Sequence, residues 1–194
     1  MFGVSVGIMD AGGAGGAGGA FESIQTVTGT GTAASLEFTS IPSTYKHLQI
    51  RFNIRGYDTS SRSDDDFRIR FNNDSTNANY YAHYLQATNS IAPTALARDG
   101  SYAGGQIVIS DFVPGSASPA NLMQTGIIDI IDYASTTKNK TVRFITGQDR
   151  NTSGQLRLAS IGYFSTNAIT SIQLLPDPTG FTTDSVFSLY GIKG

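Results

Sequence analysis

The stretch from Lys46 to Arg55 alternates strictly between apolar and polar side chains. Its apolar members recur at every second position: Leu48, Ile50, Phe52 and Ile54. Because successive side chains of a strand point to opposite faces, this pattern predicts a half-buried β-strand with one face on a core. A second alternation at 67–73 follows after a polar loop, and we predict that these two strands pair as a hairpin.

Nine further stretches show the same period of two or a short apolar run, which makes eleven candidate strands. They are residues 21–28, 33–39, 80–87, 106–112, 122–132, 141–148, 155–164, 169–175 and 185–192. Turns rich in Gly, Pro, Asn and Ser separate them, and no stretch keeps a helical period over three turns. The sequence therefore predicts an all-β fold, an antiparallel β-sandwich or jelly roll of about ten strands spanning residues 21–194.

Two candidate strands carry apolar residues on both faces, in the stretches 126–132 and 185–193. A strand that is apolar on both faces is buried on both, because each exposed face of a sheet is normally polar. We predict that these are central strands, or strands covered a second time by a neighbouring subunit.

The first twenty residues form an apolar arm on a Gly/Ala-rich linker. Large apolar side chains alternate with small residues in the arm: Phe2, Val4, Val6 and Ile8. Positions 11–19 hold only Ala and Gly. The arm lacks the basic residues of a secretory signal and is shorter than the about 20 apolar residues that cross a bilayer. We expect it to bind a partner by adding as a strand to an exposed sheet edge.

The composition narrows the classes of partner and chemistry. Only 14% of the 194 residues are charged, and the net charge is −2. Electrostatic capture of nucleic acid or of an anionic membrane is therefore not expected. The chain has no cysteine, which excludes disulfides, thiol catalysis and zinc–thiolate sites.

Four arginines are predicted to point outward from the two best-patterned strands: Arg51, Arg55, Arg68 and Arg70. If those strands are adjacent, the arginines form a cationic stripe that would bind an acidic protein, an anionic glycan or nucleic acid. The alternatives are pairing with the aspartate-rich loop 58–66 or a subunit contact. We take these four arginines, together with the apolar residues of the arm, as candidate partner-binding residues.

The motifs of common enzymes are missing. The sequence contains neither a G-x-S-x-G elbow, nor H-E-x-x-H, nor a phosphate-binding P-loop, and its only histidines are His47 and His83. Asp129 and Asp132 are the best carboxylate pair for glycoside hydrolysis, but a spacing of three places them on opposite faces of a strand. The loop 58–66 lacks the spacing of an EF-hand. We expect no enzyme activity, no cofactor and no metal.

Three segments, "SIPSTYKHLQIR", "YASTTKNKT" and "LYGIK", carry a resemblance that extends over nearly the whole chain from Phe21 to Gly194. In them the chain resembles a family of small structural proteins of tailed bacteriophages. The resemblance implies a virion component, assembled in the bacterial host cytoplasm. One form is a decoration or cement protein that binds the major capsid protein or other virion proteins. The other is a tail fibre or baseplate part involved in host attachment.

The same resemblance implies a homo-oligomer, a trimer that would suit the three-fold sites of an icosahedral shell. It brings no catalytic residue to any position of this sequence. For the tail alternative, the tyrosine-rich stretch 80–86 is a candidate contact for a host glycan, because exposed tyrosines stack on sugar rings.

Overall fold

The fold is taken from a computed structural model that describes residues 19–88, 91–99, 104–151 and 153–194, with only the backbone of 91–99. The predicted arm lies outside the described residues. Its four apolar residues, Phe2, Val4, Val6 and Ile8, therefore stay predicted binding residues.

Fourteen strands account for the regular structure of the described residues, apart from one 3₁₀ turn at Asn77–Asn79. Their bounds are β1 Phe21–Thr28, β2 Leu36–Phe38, β3 His47–Ile54, β4 Gly56–Tyr57, β5 Asp64–Phe71, β6 Tyr80–Thr88, β7 Ile91–Asp99, β8 Ile107–Pro114, β9 Gln124–Ile131, β10 Lys140–Asp149, β11 Gly154–Tyr163, β12 Ile172–Asp177, β13 Gly180–Phe181 and β14 Val186–Ile192.

The strands form an eight-stranded sheet in the order β1-β14-β3-β9-β10-β11-β6-β7 and a four-stranded sheet in the order β2-β12-β5-β8. A two-stranded ribbon joins β13 and β4. All the pairings between these strands are antiparallel. The predicted all-β antiparallel sandwich is confirmed.

The two large sheets meet across an aromatic core. Phe52 of β3 lies edge-on to Phe67 of β5 with their ring centroids 5.2 Å apart. Phe67 also contacts Phe181 at 5.7 Å and Phe187 at 5.3 Å. This ring of the four-stranded sheet thus contacts aromatic side chains of the eight-stranded sheet and of the small ribbon, so it couples all three.

The predicted hairpin between β3 and β5 is wrong. β3 pairs with β14 and β9, while β5 pairs with β12 and β8 in the other sheet. Each strand has one apolar face, and both faces are buried when the strands lie opposite one another across the core. The polar loop between them therefore crosses from one sheet to the other instead of turning back within one.

The prediction that the two doubly apolar stretches are central strands is confirmed. β9 lies between β3 and β10, and β14 lies between β1 and β3.

By contrast, β7 was not predicted. Its Pro93 cannot donate a ladder hydrogen bond, and an edge strand tolerates this because one of its sides is unpaired.

The aspartate-rich segment, predicted to be a loop, contributes its last three residues to β5 and buries two carboxylates. Asp58 and Asp65 are 6% and 3% exposed. Asp58 accepts a hydrogen bond from the backbone of Ser60 at 2.8 Å, whereas neither carboxylate oxygen of Asp65 has a hydrogen-bond partner. Burial, followed by the charge of Asp58, raises the pKa of Asp65 to about 6.

Replacing Asp65 by asparagine is expected to stabilise the fold at pH 7 by about 2 kcal/mol, because it removes a buried charge without changing the shape. In the wild type the folded state binds a proton more readily than the unfolded state between about pH 4 and pH 6. This site therefore contributes more stability as the pH falls through that window, and Asp65→Asn should flatten the dependence.

Urea unfolding at several pH values measures the free energy of unfolding of the wild type and of Asp65→Asn. The matched control is Asp184→Asn, because Asp184 is exposed. The buried-charge explanation is wrong if both variants show the same stability and the same pH profile.

Candidate interaction surface

Large aliphatic side chains lie side by side on the outer face of the eight-stranded sheet. Ile127 of β9 is paired directly with Ile145 of β10, Ile145 with Leu158 of β11, and Leu158 with Leu85 of β6. They are 36%, 47%, 49% and 51% exposed in the order Ile127, Ile145, Leu158, Leu85. Side chains directly opposite one another on adjacent strands are in contact, so the four form one continuous apolar row.

Leu156 extends this row and is 55% exposed. It is paired with Gly147 on one side and Ala87 on the other, so its neighbours are small. Gly147 and Leu156 line a hollow of about 480 Å³ that also reaches Thr125 and Ile145. We call the set Leu85, Ile127, Ile145, Leu156 and Leu158 the apolar strip.

The interior beneath the strip is partly polar, which is unusual for the core of a sandwich. Residues of β11 that alternate with the leucines point inward: Gln155 and Arg157 are 4% and 2% exposed. Gln124 of β9 is also fully buried and donates to Ser110 Oγ at 2.9 Å. In the same region of the sheet, buried polar side chains therefore lie inward beside apolar core residues such as Ile128 and Phe144, while the outward side chains are aliphatic.

An ion pair compensates the buried arginine. Arg157 Nη2 lies 2.5 Å from Asp111 Oδ1, and Arg157 Nε donates to Gln86 Oε1 at 2.8 Å. The guanidinium also lies 4.9 Å from the ring centre of Tyr84. Burial alone would raise the pKa of Asp111, but the Arg157 charge and hydrogen bonds hold that pKa below its ordinary value.

Charged and polar groups border one side of the strip. Gln49 donates through Nε2 to Asp129 at 2.9 Å, and Arg143, whose side chain is 63% exposed, lies 3.8 Å from the same carboxylate. His83 of β6 is exposed at the same level of the sheet, because it is paired with Ser160, which is paired with Arg143. An uncharged centre with a polar border is the usual composition of a protein–protein interface.

The four predicted arginines do not form one stripe, because β3 and β5 belong to different sheets. Arg51 is exposed on the same face as the strip, with its guanidinium over the rings of Phe21 at 5.8 Å and Tyr190 at 5.4 Å. Arg55 holds the loop after β8, donating to the carbonyls of Gly115 and Pro119 at 2.8 Å each.

The other two arginines lie on the four-stranded sheet. Arg68 forms ion pairs with Asp66 at 2.7 Å and with Asp177, so the alternative that an arginine pairs with the aspartate-rich segment holds for this residue. Arg70 donates to the carbonyl of Gly105 at 3.2 Å. The joint cationic stripe expected from the sequence is therefore not formed.

Of the histidine and carboxylate candidates, His47 and Asp132 lie together, with His47 Nδ1 3.7 Å from Asp132 Oδ1. The backbone N–H of Asp132 donates to His47 Nδ1 at 3.0 Å, and hydrogen bonds from Lys138 and Lys46 lower the pKa of the Asp132 carboxyl. Asp129, in contrast, accepts a hydrogen bond from Gln49 and lies near Arg143. Among the described residues, no three His, Asp or Glu side chains are grouped to hold a metal ion.

Comparison with known proteins places the chain in no family: no family model matches it, and neither does any curated protein. In the described part of the chain, no helix is long and apolar enough to cross a membrane.

The residues of the strip were not among the candidates from the sequence. The signal for Ile127 was present, because its stretch is apolar on both faces. For Leu156 and Leu158 the pattern misleads, since leucines alternating with Gln155 and Arg157 suggest a strand with its leucines inward. An exposed apolar patch of this extent on a folded chain indicates a contact surface.

Proposed function

We propose that the protein is a non-enzymatic structural component of a bacteriophage virion, a capsid decoration or cement protein that binds the outer shell and stabilises it. The observation that carries a binding role is the apolar strip, which lies on four adjacent paired strands of a single sheet. The assignment to a virion, and to the major capsid protein as partner, rests on the resemblance of residues 21–194 to phage structural proteins.

The magnitude of the binding energy suits a protein that acts in many copies. Covering five half-exposed aliphatic side chains contributes roughly 4–8 kcal/mol. The loss of translational and rotational freedom opposes binding by a similar amount. One strip is therefore a weak contact by itself, and a symmetric assembly with several contacts per subunit would make it strong.

A protein of this kind stabilises a shell by mass action, because it binds the assembled state and not unfolded shell protein. In this proposal the arm at residues 1–19 provides a second contact, through Phe2, Val4, Val6 and Ile8. The carbonyl of Ala20 accepts a hydrogen bond from the Lys193 backbone at 3.1 Å, which joins the start of the described chain to its C-terminal segment.

Particles that lack the protein should assemble but rupture at a lower temperature than complete particles, and purified protein should restore the rupture temperature without any cofactor.

Protein truncated by residues 1–19 should melt at the wild-type temperature, because every described strand begins later, yet bind particles more weakly. Changing Gly3 and Ser5 to alanine provides a full-length control that keeps the apolar pattern of the arm.

One observation favours a tail component as the second candidate function. Tyr81 and Phe164 form an exposed edge-to-face pair with ring centroids 5.2 Å apart, and they are 40% and 51% exposed. Aromatic faces of this kind bind sugars. Unchanged rupture together with lost adsorption to cells, measured on the same particles, would overturn the cement proposal in favour of this candidate. Undiminished particle binding by the truncated protein would contradict the role of the arm.

A further inference from the structure

We infer that the apolar strip binds the same strip of a second copy, in a two-fold dimer whose axis runs parallel to the strands between β10 and β11. This inference rests on the proposed role of the strip as a contact surface, but not on the place of the protein in a virion. It assigns that contact to a second copy, which leaves the arm as the contact with the shell. The partner is identified by how the face matches itself, as the strand registers show.

The register of β10 and β11 determines which residues meet. A two-fold axis between these strands places β10 of one copy over β11 of the other, at the same level along the strands. Because Ile145 is paired with Leu158 within one sheet, each Ile145 then lies over the Leu158 of the other copy. One strand further out, each Ile127 lies over the other copy's Leu85. The whole row is thus covered by aliphatic side chains.

The next level fits a protrusion to a hollow. Leu156 is paired with Gly147, so the same rotation places each Leu156 over the Gly147 of the other copy. Leu156 is among the most exposed aliphatic side chains, and the hollow beside it is lined by Gly147, Thr125 and Ile145. Each copy offers one protrusion and one hollow, as a two-fold contact requires.

The polar border is also complementary under this rotation. Asp129 and His83 lie at one level of the sheet, through the paired sequence Asp129–Arg143–Ser160–His83. The rotation exchanges β9 with β6, so each Asp129 lies over a His83, and each Arg143 over a Ser160. A ring N–H of His83 can donate to the Asp129 carboxylate, and the Ser160 hydroxyl can accept a hydrogen bond from Arg143.

Other two-fold axes fit less well. An axis through β10 would place each Arg143 over the Arg143 of the other copy, and contact between like charges is unfavourable. An axis perpendicular to the strands at the level of Ile145 would place Leu156 over Ser160 and Gly147 over Arg143, which leaves the protrusion without its hollow. Of these three axes, the one between β10 and β11 satisfies both the apolar and the polar rows.

The area of the face is adequate for a dimer. Four strands spaced about 4.8 Å apart, over about seven residues, present roughly 450 Å² of flat area. Side chains standing from this area expose more accessible surface, towards the about 800 Å² per partner of a standard interface. The trimer expected from the resemblance would need two different surfaces in ring contact, whereas the strip matches itself.

Light scattering and sedimentation of the purified full-length chain across the micromolar range test the inference, with a dimer as the expected result. Leu156→Asp and Leu158→Asp should each weaken association by at least about 100-fold, because each would bury an unpaired carboxylate, while the melting temperature stays within a few degrees. Val186→Asp is the matched control. Val186 is an exposed residue of the same sheet in β14, beyond the reach of the partner's strands, and should leave the dimer intact.

Cross-linking tests the axis itself, since the chain has no cysteine of its own. Asp129→Cys combined with His83→Cys places two thiols three strands apart, about 14 Å, within one subunit. A short bis-maleimide reagent cannot span that distance, but it should join the two copies, whereas neither single variant should give a cross-linked dimer.

A monomer or a trimer in solution, a dimer in both leucine variants, or no cross-linked product would each overturn the inference. Particle assays separate it from the proposed function. A dimer that leaves particle rupture unchanged contradicts the cement role and not the dimer, whereas a monomer that restores rupture contradicts only the dimer.

Discussion

Replacing Phe52 by aspartate is expected to abolish folding. Phe52 is 5% exposed and contacts Phe67 at 5.2 Å and Phe187 at 6.1 Å between ring centroids, at the centre of the core that joins the two sheets. The substitution removes an aromatic side chain, at a cost of about 3–5 kcal/mol, and adds a buried charge with no cation beside it. The sum is comparable to the whole stability of a typical domain.

The adjacent residue provides a matched control. Asn53 lies on the opposite face of the same strand and is exposed, so Asn53→Asp adds the same charge without burying it. Circular dichroism and thermal melting should show a folded protein for Asn53→Asp and an unfolded chain for Phe52→Asp. Equal melting temperatures would show that the faces of β3 have been assigned the wrong way round.

Replacing Arg157 by methionine is expected to destabilise the fold by about 3 kcal/mol. The arginine is 2% exposed and provides the cation for Asp111, so its loss leaves a partly buried carboxylate with a hydrogen bond from Gln155 but no cation. In the wild type the lowered pKa of Asp111 contributes stability above about pH 4, and this contribution is lost as the pH falls through the folded-state pKa. In the variant the charge and hydrogen bonds of Arg157 no longer oppose burial, so the pKa of Asp111 should be higher than in the wild type. The variant should therefore lose less stability on acidification than the wild type.

Arg143→Met, on the neighbouring strand, is the control. Its guanidinium is 63% exposed and 3.8 Å from Asp129, so the change should alter stability by no more than about 0.5 kcal/mol. Urea unfolding of both variants at pH 7 and pH 4 gives the comparison. A similar loss of stability in the two variants would mean that the buried Arg157–Asp111 ion pair stabilises the fold no more than an exposed pair does.

The strands could be predicted from the sequence because their signal is local. In β3 the period of two assigns every apolar residue to one face, and burial follows that assignment from Leu48 to Ile54. Turn residues mark where the strands stop. The unpredicted β7 shows the limit of this reasoning. Pro93 argues against a strand, and only its place at the edge of the sheet makes the proline tolerable.

Strand partners depend on distant parts of the chain. The alternation of β3 and β5 is equally compatible with a hairpin and with two facing sheets, because either arrangement covers both apolar faces. The choice depends on β14 and β9, which provide the hydrogen-bond partners of β3 from far along the chain. The cationic stripe was expected because β3 and β5 were predicted to be adjacent. It does not form because the two strands lie in different sheets.

By itself the sequence determined an antiparallel all-β chain, because alternation and turn chemistry are short-range properties. Only the tertiary structure decided which face of β11 is inside. Apolar residues occupy both faces of this strand, with Leu156 and Leu158 on one and Ile161 on the other. The face of Ile161 is buried in the core, and Asp111 from the opposite sheet compensates the arginine carried inward with it. The leucines are left outside because the side chains of one strand cannot all face the core at once.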